Sequence, residues 1–120
     1  MEKEDLFNFE QLMVYKKALD FIDKVYSQTK SFPKSEEFRL TSQYIRASHS
    51  IALNIAEGSG RTKAEFINFL RISRRSVQEC LVCSTIAHRQ QYINSETSMQ
   101  NRKCIIELSK MINGLSKSIK

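Results

Sequence analysis

Breakers are scarce in this chain, and that scarcity constrains its fold more than any motif does. Three glycines and one proline are spread over 120 residues, too few to supply the tight turns that β-hairpins demand. Turn signals fall at Ser31-Phe32-Pro33, at Gly58-Ser59-Gly60 and at Asn94-Ser95, so the chain is cut into four long segments. Each segment carries apolar residues at i, i+3, i+4 spacing, the period of a helix packed on one side. Strand signals are absent.

In the first segment Phe9, Leu12, Tyr15, Leu19, Ile22 and Tyr26 make one apolar row, and Val14, Ala18, Phe21 and Val25 make a second. The spacing predicts a helix from near Phe9 to about Lys30. An apolar arc that wide calls for more than one neighbour, another subunit among them. Pro33 interrupts the pattern, and a second helix is expected from Ser35 to Glu57, with Glu36 and Glu37 near its positive end. Gly58 is expected to stop that helix in the left-handed conformation. Thr62 and Glu65 have the spacing of a capping box. The third helix therefore starts at Lys63 and meets no breaker before about Ile93, which makes a rod of more than about 40 Å. Its apolar stripe is Phe66, Phe69, Leu70, Val77, Cys80, Leu81 and Ser84. Ser95 or Thr97 caps a fourth helix running to the carboxyl end, with Cys104, Ile105, Leu108, Met111, Ile112 and Leu115 turned inward. Four amphipathic segments joined by short connections predict an all-α fold, an antiparallel up-down-up-down four-helix bundle. Residues 8–120 form its single domain and residues 1–7 a loose arm.

Bulk properties remove several function classes. Apolar content of 41% and charged content of 27% suit one globular domain of this length rather than a disordered chain. No run approaches the ~18 apolar residues of a membrane span. The charged start Met-Glu-Lys-Glu-Asp does not read as an export signal, and three cysteines fit a reducing compartment. The expectation is a cytoplasmic protein with no membrane partner.

Charge is distributed unevenly. The chain is +6 overall, but residues 61–94 carry six Lys/Arg against two Asp/Glu and residues 95–120 carry five against two. A basic second half makes an acidic partner plausible, nucleic acid being the commonest. On the third helix Arg71, Arg74, Arg75 and Arg89 lie opposite the apolar stripe, with Arg61 and Lys63 at its start. These six are the candidate nucleic-acid-binding residues, because guanidinium groups suit bidentate contact with phosphate. The bland alternative is a solvated face, or one paired with carboxylates of a neighbour.

The second helix carries a polar seam beside its apolar stripe. Arg46, Ser50, Asn54 and Glu57 follow one another at three or four residues. No histidine or cysteine shares that seam with a nucleophile partner, so a small hydrolase is the weakest reading. A buried structural network is favoured instead, in which Arg46 meets Glu79 while Ser50, Asn54, Glu57 and Ser76 fill the remaining hydrogen bonds. Removing Glu79 from such a pair would cost about 3–5 kcal/mol. Cys80-Leu-Val-Cys83 lies mid-helix without a second ligand pair, and His49 and His88 sit on different helices, so no metal, cofactor or catalytic residue is assigned. Gly58-Ser59-Gly60-Arg61 is poor support for a phosphate cradle, since a helix stop accounts for both glycines.

Phe7-Asn8-Phe9-Glu10-Gln11-Leu12, Val14-Tyr15-Lys16-Lys17-Ala18, Phe32-Pro33-Lys34, Phe38-Arg39-Leu40-Thr41-Ser42-Gln43, Ser50-Ile51-Ala52-Leu53-Asn54-Ile55-Ala56-Glu57-Gly58-Ser59-Gly60 and Glu65-Phe66-Ile67-Asn68-Phe69-Leu70-Arg71-Ile72 give the chain a family resemblance. It resembles the four-helix-bundle proteins encoded in intervening sequences of bacterial 23S ribosomal RNA genes, from about residue 7 to residue 90. Two positions depart: Ile45 stands where many relatives carry an arginine, and Ala52 where a proline is usual. The resemblance implies a barrel-like homopentamer, no enzymatic activity and a role in binding nucleic acid, since accessory proteins of diversity-generating retroelements share the fold. It does not imply membership of the ribosome. The expected function is non-enzymatic binding of structured RNA or DNA by an oligomer. The alternative is an adaptor that docks a nucleic-acid enzyme such as a reverse transcriptase without touching nucleic acid itself.

Overall fold

Rods with apolar stripes hide them by packing side by side, and the computed structural model, which describes residues 5–119, shows that solution. Helices α1 (Met13–Thr29), α2 (Leu40–Ser59), α3 (Lys63–Arg89) and α4 (Ser95–Ile119) form an antiparallel four-helix bundle about 42 Å long, with no strand among the described residues. Each helix packs on the next in sequence and α4 returns to α1, which is the loosest of the four contacts. Of the arm expected at residues 1–7, residues 1–4 lie outside the described residues. Phe7 stacks on Phe9, and its backbone N–H donates to the Glu10 carboxylate at 3.0 Å.

Helix ends differ from the periodicity wherever side chains compete for the backbone. Asn8–Gln11 is a short 3-10 turn, so α1 starts at Met13 rather than Phe9. Lys34–Glu36 is another such turn, and Arg39 leaves the helical region, which delays α2 from Ser35 to Leu40. Glu36 bridges this corner: its carboxylate accepts from the Leu40 N–H at 3.4 Å and from the Tyr92 hydroxyl at 2.9 Å. The third helix stops at Arg89 rather than Ile93, where Gln91 takes a positive φ of 65°. At the other end of α3 the Thr62 hydroxyl accepts from the Glu65 N–H at 3.2 Å, as the capping spacing predicts.

Gly58 requires a correction. The helix runs through it to Ser59, and it has no positive φ. A Cβ there would stand 2.7 Å from Phe69 Cβ and 2.9 Å from Phe66 Cδ1. Glycine is needed for the close approach of α2 to α3, not for a left-handed stop. The same seam is closed by small hydroxyls: Ser73 donates to the Ile51 carbonyl at 2.9 Å and Ser76 to Ser50 at 2.8 Å.

The core also contains a polar node that the apolar pattern passes over. Asn101 on α4 is buried, exchanges two hydrogen bonds with Gln28 of α1 (2.7 and 2.9 Å) and donates to Ser84 of α3 at 2.9 Å. A buried amide whose partners sit on two other helices fixes axial register, because sliding either helix leaves it unpaired. Close by, the Tyr44 hydroxyl is buried with no partner at bonding geometry. Burial pushes it well above the ordinary tyrosine pKa, and Ser84 is near enough only to soften that rise.

Candidate nucleic-acid interface

The antiparallel packing of α3 on α4 decides which cations share a face. Two cross-helix hydrogen bonds fix their register: Arg74 donates to Asn113 at 2.8 Å, and Asn101 donates to Ser84. With those pairs aligned, Lys110 and Lys117 fall beside Arg71, Arg74 and Arg75, while Arg102 and Lys103 fall toward the Arg89 end. All eight side chains are exposed. Among the described residues none has a carboxylate within ion-pair distance. Arg71 donates to Asn68 at 3.1 Å, but neutral amides hold these two guanidinium groups without cancelling their charge. Lys63 is exposed at the start of the same helix and is likewise free of a carboxylate among the described residues.

Two of the four acids of this half are engaged by cations outside the row. Of Glu65, Glu79, Glu96 and Glu107, Glu65 pairs with Arg61 of the α2–α3 turn and Glu107 with Lys17 of α1 at 3.2 Å. The α4 cations Arg102, Lys103, Lys110 and Lys117 escape a reading of α3 alone. Periodicity within one helix cannot say which face of the next lies alongside, and that register is set by Asn101 and Asn113.

Arg61 stands apart from the row. Its guanidinium is bound to the Glu57 carboxylate, lies 3.5 Å from Glu65 and sits 5.2 Å from the centre of the Phe69 ring. The Glu57 hydrogen bond is the main reason its pKa rises further, and the Thr62 hydroxyl is the main reason the Glu65 carboxyl is held low. An arginine already matched to two carboxylates has little charge left to offer a phosphate.

The polar seam of α2 splits. Ser50, Asn54 and Ser76 come together as expected: Asn54 donates to the Ser50 hydroxyl at 2.9 Å and to its carbonyl at 2.8 Å, and Ser76 donates to Ser50. The expected Arg46–Glu79 pair does not form. Both side chains are exposed, and neither has an ion-pair partner among the described residues. Glu57 belongs to Arg61 instead. At 100° per residue the seam is roughly 80° wide. Only its inner edge, Ser50 and Asn54, faces α3, while Arg46 and Glu57 lie on the outer edge, where water solvates a charge at no desolvation cost.

Burial pushes Cys80 far above an ordinary thiol and Cys83 up to about 11, so neither is a ready nucleophile. His49 shares a 2.9 Å hydrogen bond with Tyr26, and His88 one of 3.2 Å with Ser95. Among the described residues no three His, Cys, Asp or Glu side chains converge as metal ligands. No described helix is long and apolar enough to cross a membrane.

The opposite side of the bundle differs in kind. Between α1 and α2 an open groove of about 310 Å³ is lined by Phe9, Tyr15, Leu19, Ile22 and Leu53 with two alanines and His49. Leu53 is 65% exposed. Of the two apolar rows on α1, only Val14, Ala18, Phe21 and Val25 enter the core.

The family model for 23S rRNA-intervening sequence proteins matches residues 10–114. The chain belongs to that family. A solved structure from Bacteroides thetaiotaomicron, a protein of unknown function from the S23 ribosomal protein family, resembles it with a TM-score of 0.80 and 26% identity, over 88% of this chain and 99% of that one. A search of curated proteins finds no match. The match of this 23S rRNA-intervening sequence protein takes in the α2–α3 seam and Asn101, together with seven of the eight open cations; Lys117 lies just beyond it.

Proposed function

We propose that this protein is a non-enzymatic, cytoplasmic, oligomeric bundle that binds structured RNA or DNA through the outward faces of α3 and α4. The observation that carries the reading is the row of eight exposed cations, none paired with a carboxylate among the described residues. Such a row releases condensed counterions when it meets phosphates, which supplies affinity independent of sequence. The family resemblance supports a homopentamer. The apolar groove between α1 and α2 lies on the opposite side of the bundle from the cation row, where a subunit contact leaves the row open. A ring would repeat the cation row around its circumference and multiply weak contacts.

Electrophoretic mobility shift across a salt series tests the binding reading. Each phosphate engaged should contribute roughly 0.7–0.9 to the slope of log affinity against log salt. A curve indifferent to salt would move the protein to the adaptor reading, in which it docks an enzyme such as a reverse transcriptase. Light scattering tests the ring: a mass near 14.0 kDa, that of one chain, at micromolar concentration would remove it.

A further inference from the structure

We propose that the α3–α4 face takes the phosphate backbone of a double helix, gripping both rims of one groove, rather than a single strand. The inference rests on the nucleic-acid reading above and goes beyond it in two respects.

The first is the absence of a stacking platform. Proteins that hold single strands stack bases on aromatic side chains set among the cations. From residue 70 to residue 119 Tyr92 is the one Phe, Tyr or Trp, and its hydroxyl is committed to Glu36. The strongly exposed aromatics, Phe7, Tyr26 and Phe38, all belong to the other half of the chain.

The second is the spacing of the cations. With Arg74 aligned to Asn113 and Ser84 to Asn101, Arg71, Arg74, Lys110 and their neighbours form one group along the bundle axis, and Arg102 and Lys103 form another with Arg89. About seven residues of helix separate the groups, or roughly 10 Å. The exposed side chains of this waist are Gln78, Glu79 and Val82 on α3 and Ile106 and Glu107 on α4, with no cation among them. A single strand asks for a continuous cation track. Two groups flanking a waist that carries no cation and two acids, which would repel a phosphate, instead match the two phosphate ridges on either side of a groove, the major groove of B-form DNA being about 12 Å wide. The wide, shallow groove of A-form RNA offers the same chemistry.

Fluorescence anisotropy with the full chain and four labelled 24-mers tests this: duplex RNA, duplex DNA, oligo-U and oligo-dT at equal salt. Either duplex should bind at least about tenfold tighter than both single strands, and changing its base sequence should alter affinity less than about threefold. The two duplex arms tell which helix form is preferred. Arg74→Glu/Lys110→Glu and Arg102→Glu/Lys103→Glu alter one group each, and each should weaken duplex binding at least about tenfold with the helical circular dichroism unchanged. Single strands binding as tightly as duplexes would overturn the inference and leave the nucleic-acid reading standing, as would a group whose reversal changes nothing. Failure to bind any of the four probes would remove the nucleic-acid reading itself.

Discussion

The two halves of this bundle solve the same packing problem and leave opposite surfaces. Helices α1 and α2 carry Lys16, Lys17, Lys24 and Arg46 against Asp20, Asp23 and Glu57, close to neutrality, and expose leucines around an open groove. Helices α3 and α4 carry a cation row and give two of their four acids to cations from elsewhere in the chain. Burial of an apolar stripe constrains only the inward arc of each helix. The outward arcs are therefore free to differ, and function has to be read there.

The sharpest way to break the comparison is to alter one face and watch the other. Leu19→Glu with Leu53→Glu places charges on the groove while leaving the core row of α1 intact. Both leucines are already exposed, at 41% and 65%, so the helical content should not change. The expected result is a fall in mass to that of one chain. Nucleic-acid affinity should fall with it, by roughly 10²–10⁴, because multivalency is lost while each cation row survives. Light scattering and anisotropy on one sample check both. An unchanged mass would mean that the apolar groove has no part in assembly.

The next largest effect concerns the seam that joins the halves. Gly58→Ala drives a Cβ into Phe69 and Phe66, and overpacking of this kind costs about 1–3 kcal/mol. Gly60→Ala, with no atom within 4 Å of the added carbon, should leave stability nearly unchanged. Urea denaturation of the pair distinguishes a packing glycine from a turn glycine. Equal losses would restore the conformational role that the sequence suggests for Gly58.

That pair also shows what could be read without coordinates. Helix number, the Thr62 cap, the antiparallel topology and the Ser50–Asn54–Ser76 cluster all follow from period and spacing, because they depend on residues close in sequence or on the position of apolar stripes. The starts of α1 and α2 do not, since Glu10 reaches back to the Phe7 N–H and Glu36 forward to the Leu40 N–H, and each sits in a 3-10 turn in place of a first helical turn. Arg46 and Glu79 miss each other because a polar stripe has an inner and an outer edge. Which edge faces the neighbour depends on how closely the helices approach, and therefore on Gly58 and the serines opposite. The α4 cations and the Asn101 node are tertiary facts: nothing local marks one asparagine as the point where α1, α3 and α4 are keyed together.

A third test uses pH to probe the core that the two halves share. Tyr44, Cys80 and Cys83 all hold their protons more tightly in the fold than in the unfolded chain, chiefly because burial opposes the anion. Below the unfolded cysteine value of 9.0 these groups are protonated in both states, and stability is at its full value. As pH rises above that point the unfolded chain sheds protons that the fold retains, so stability falls. Thermal melts from pH 7 to 10.5 should therefore hold level up to about pH 9 and decline above it. Tyr44→Phe should flatten the upper part of that decline and change stability at pH 7 by less than about 1 kcal/mol, since the hydroxyl it removes has no bonding partner. A melting temperature level through pH 10 would mean that water reaches these groups.

The smallest expected effect fixes the boundary of the basic face. Arg61→Ala removes a cation from the α2–α3 turn, but one already matched to Glu57 and Glu65. Counterion release depends on uncompensated charge, so duplex affinity should change less than about twofold and the salt slope should stay the same. Arg74→Ala, which removes an exposed guanidinium held only by Asn113, should lower the slope by roughly 0.7–0.9. The two substitutions delete the same group, exposed at both positions, so their difference isolates pairing from charge. If Arg61→Ala lowers the slope as much as Arg74→Ala does, its carboxylates let go when nucleic acid arrives. The cation row would then extend around the turn onto α2, and the division between an apolar half and a cationic half would no longer hold.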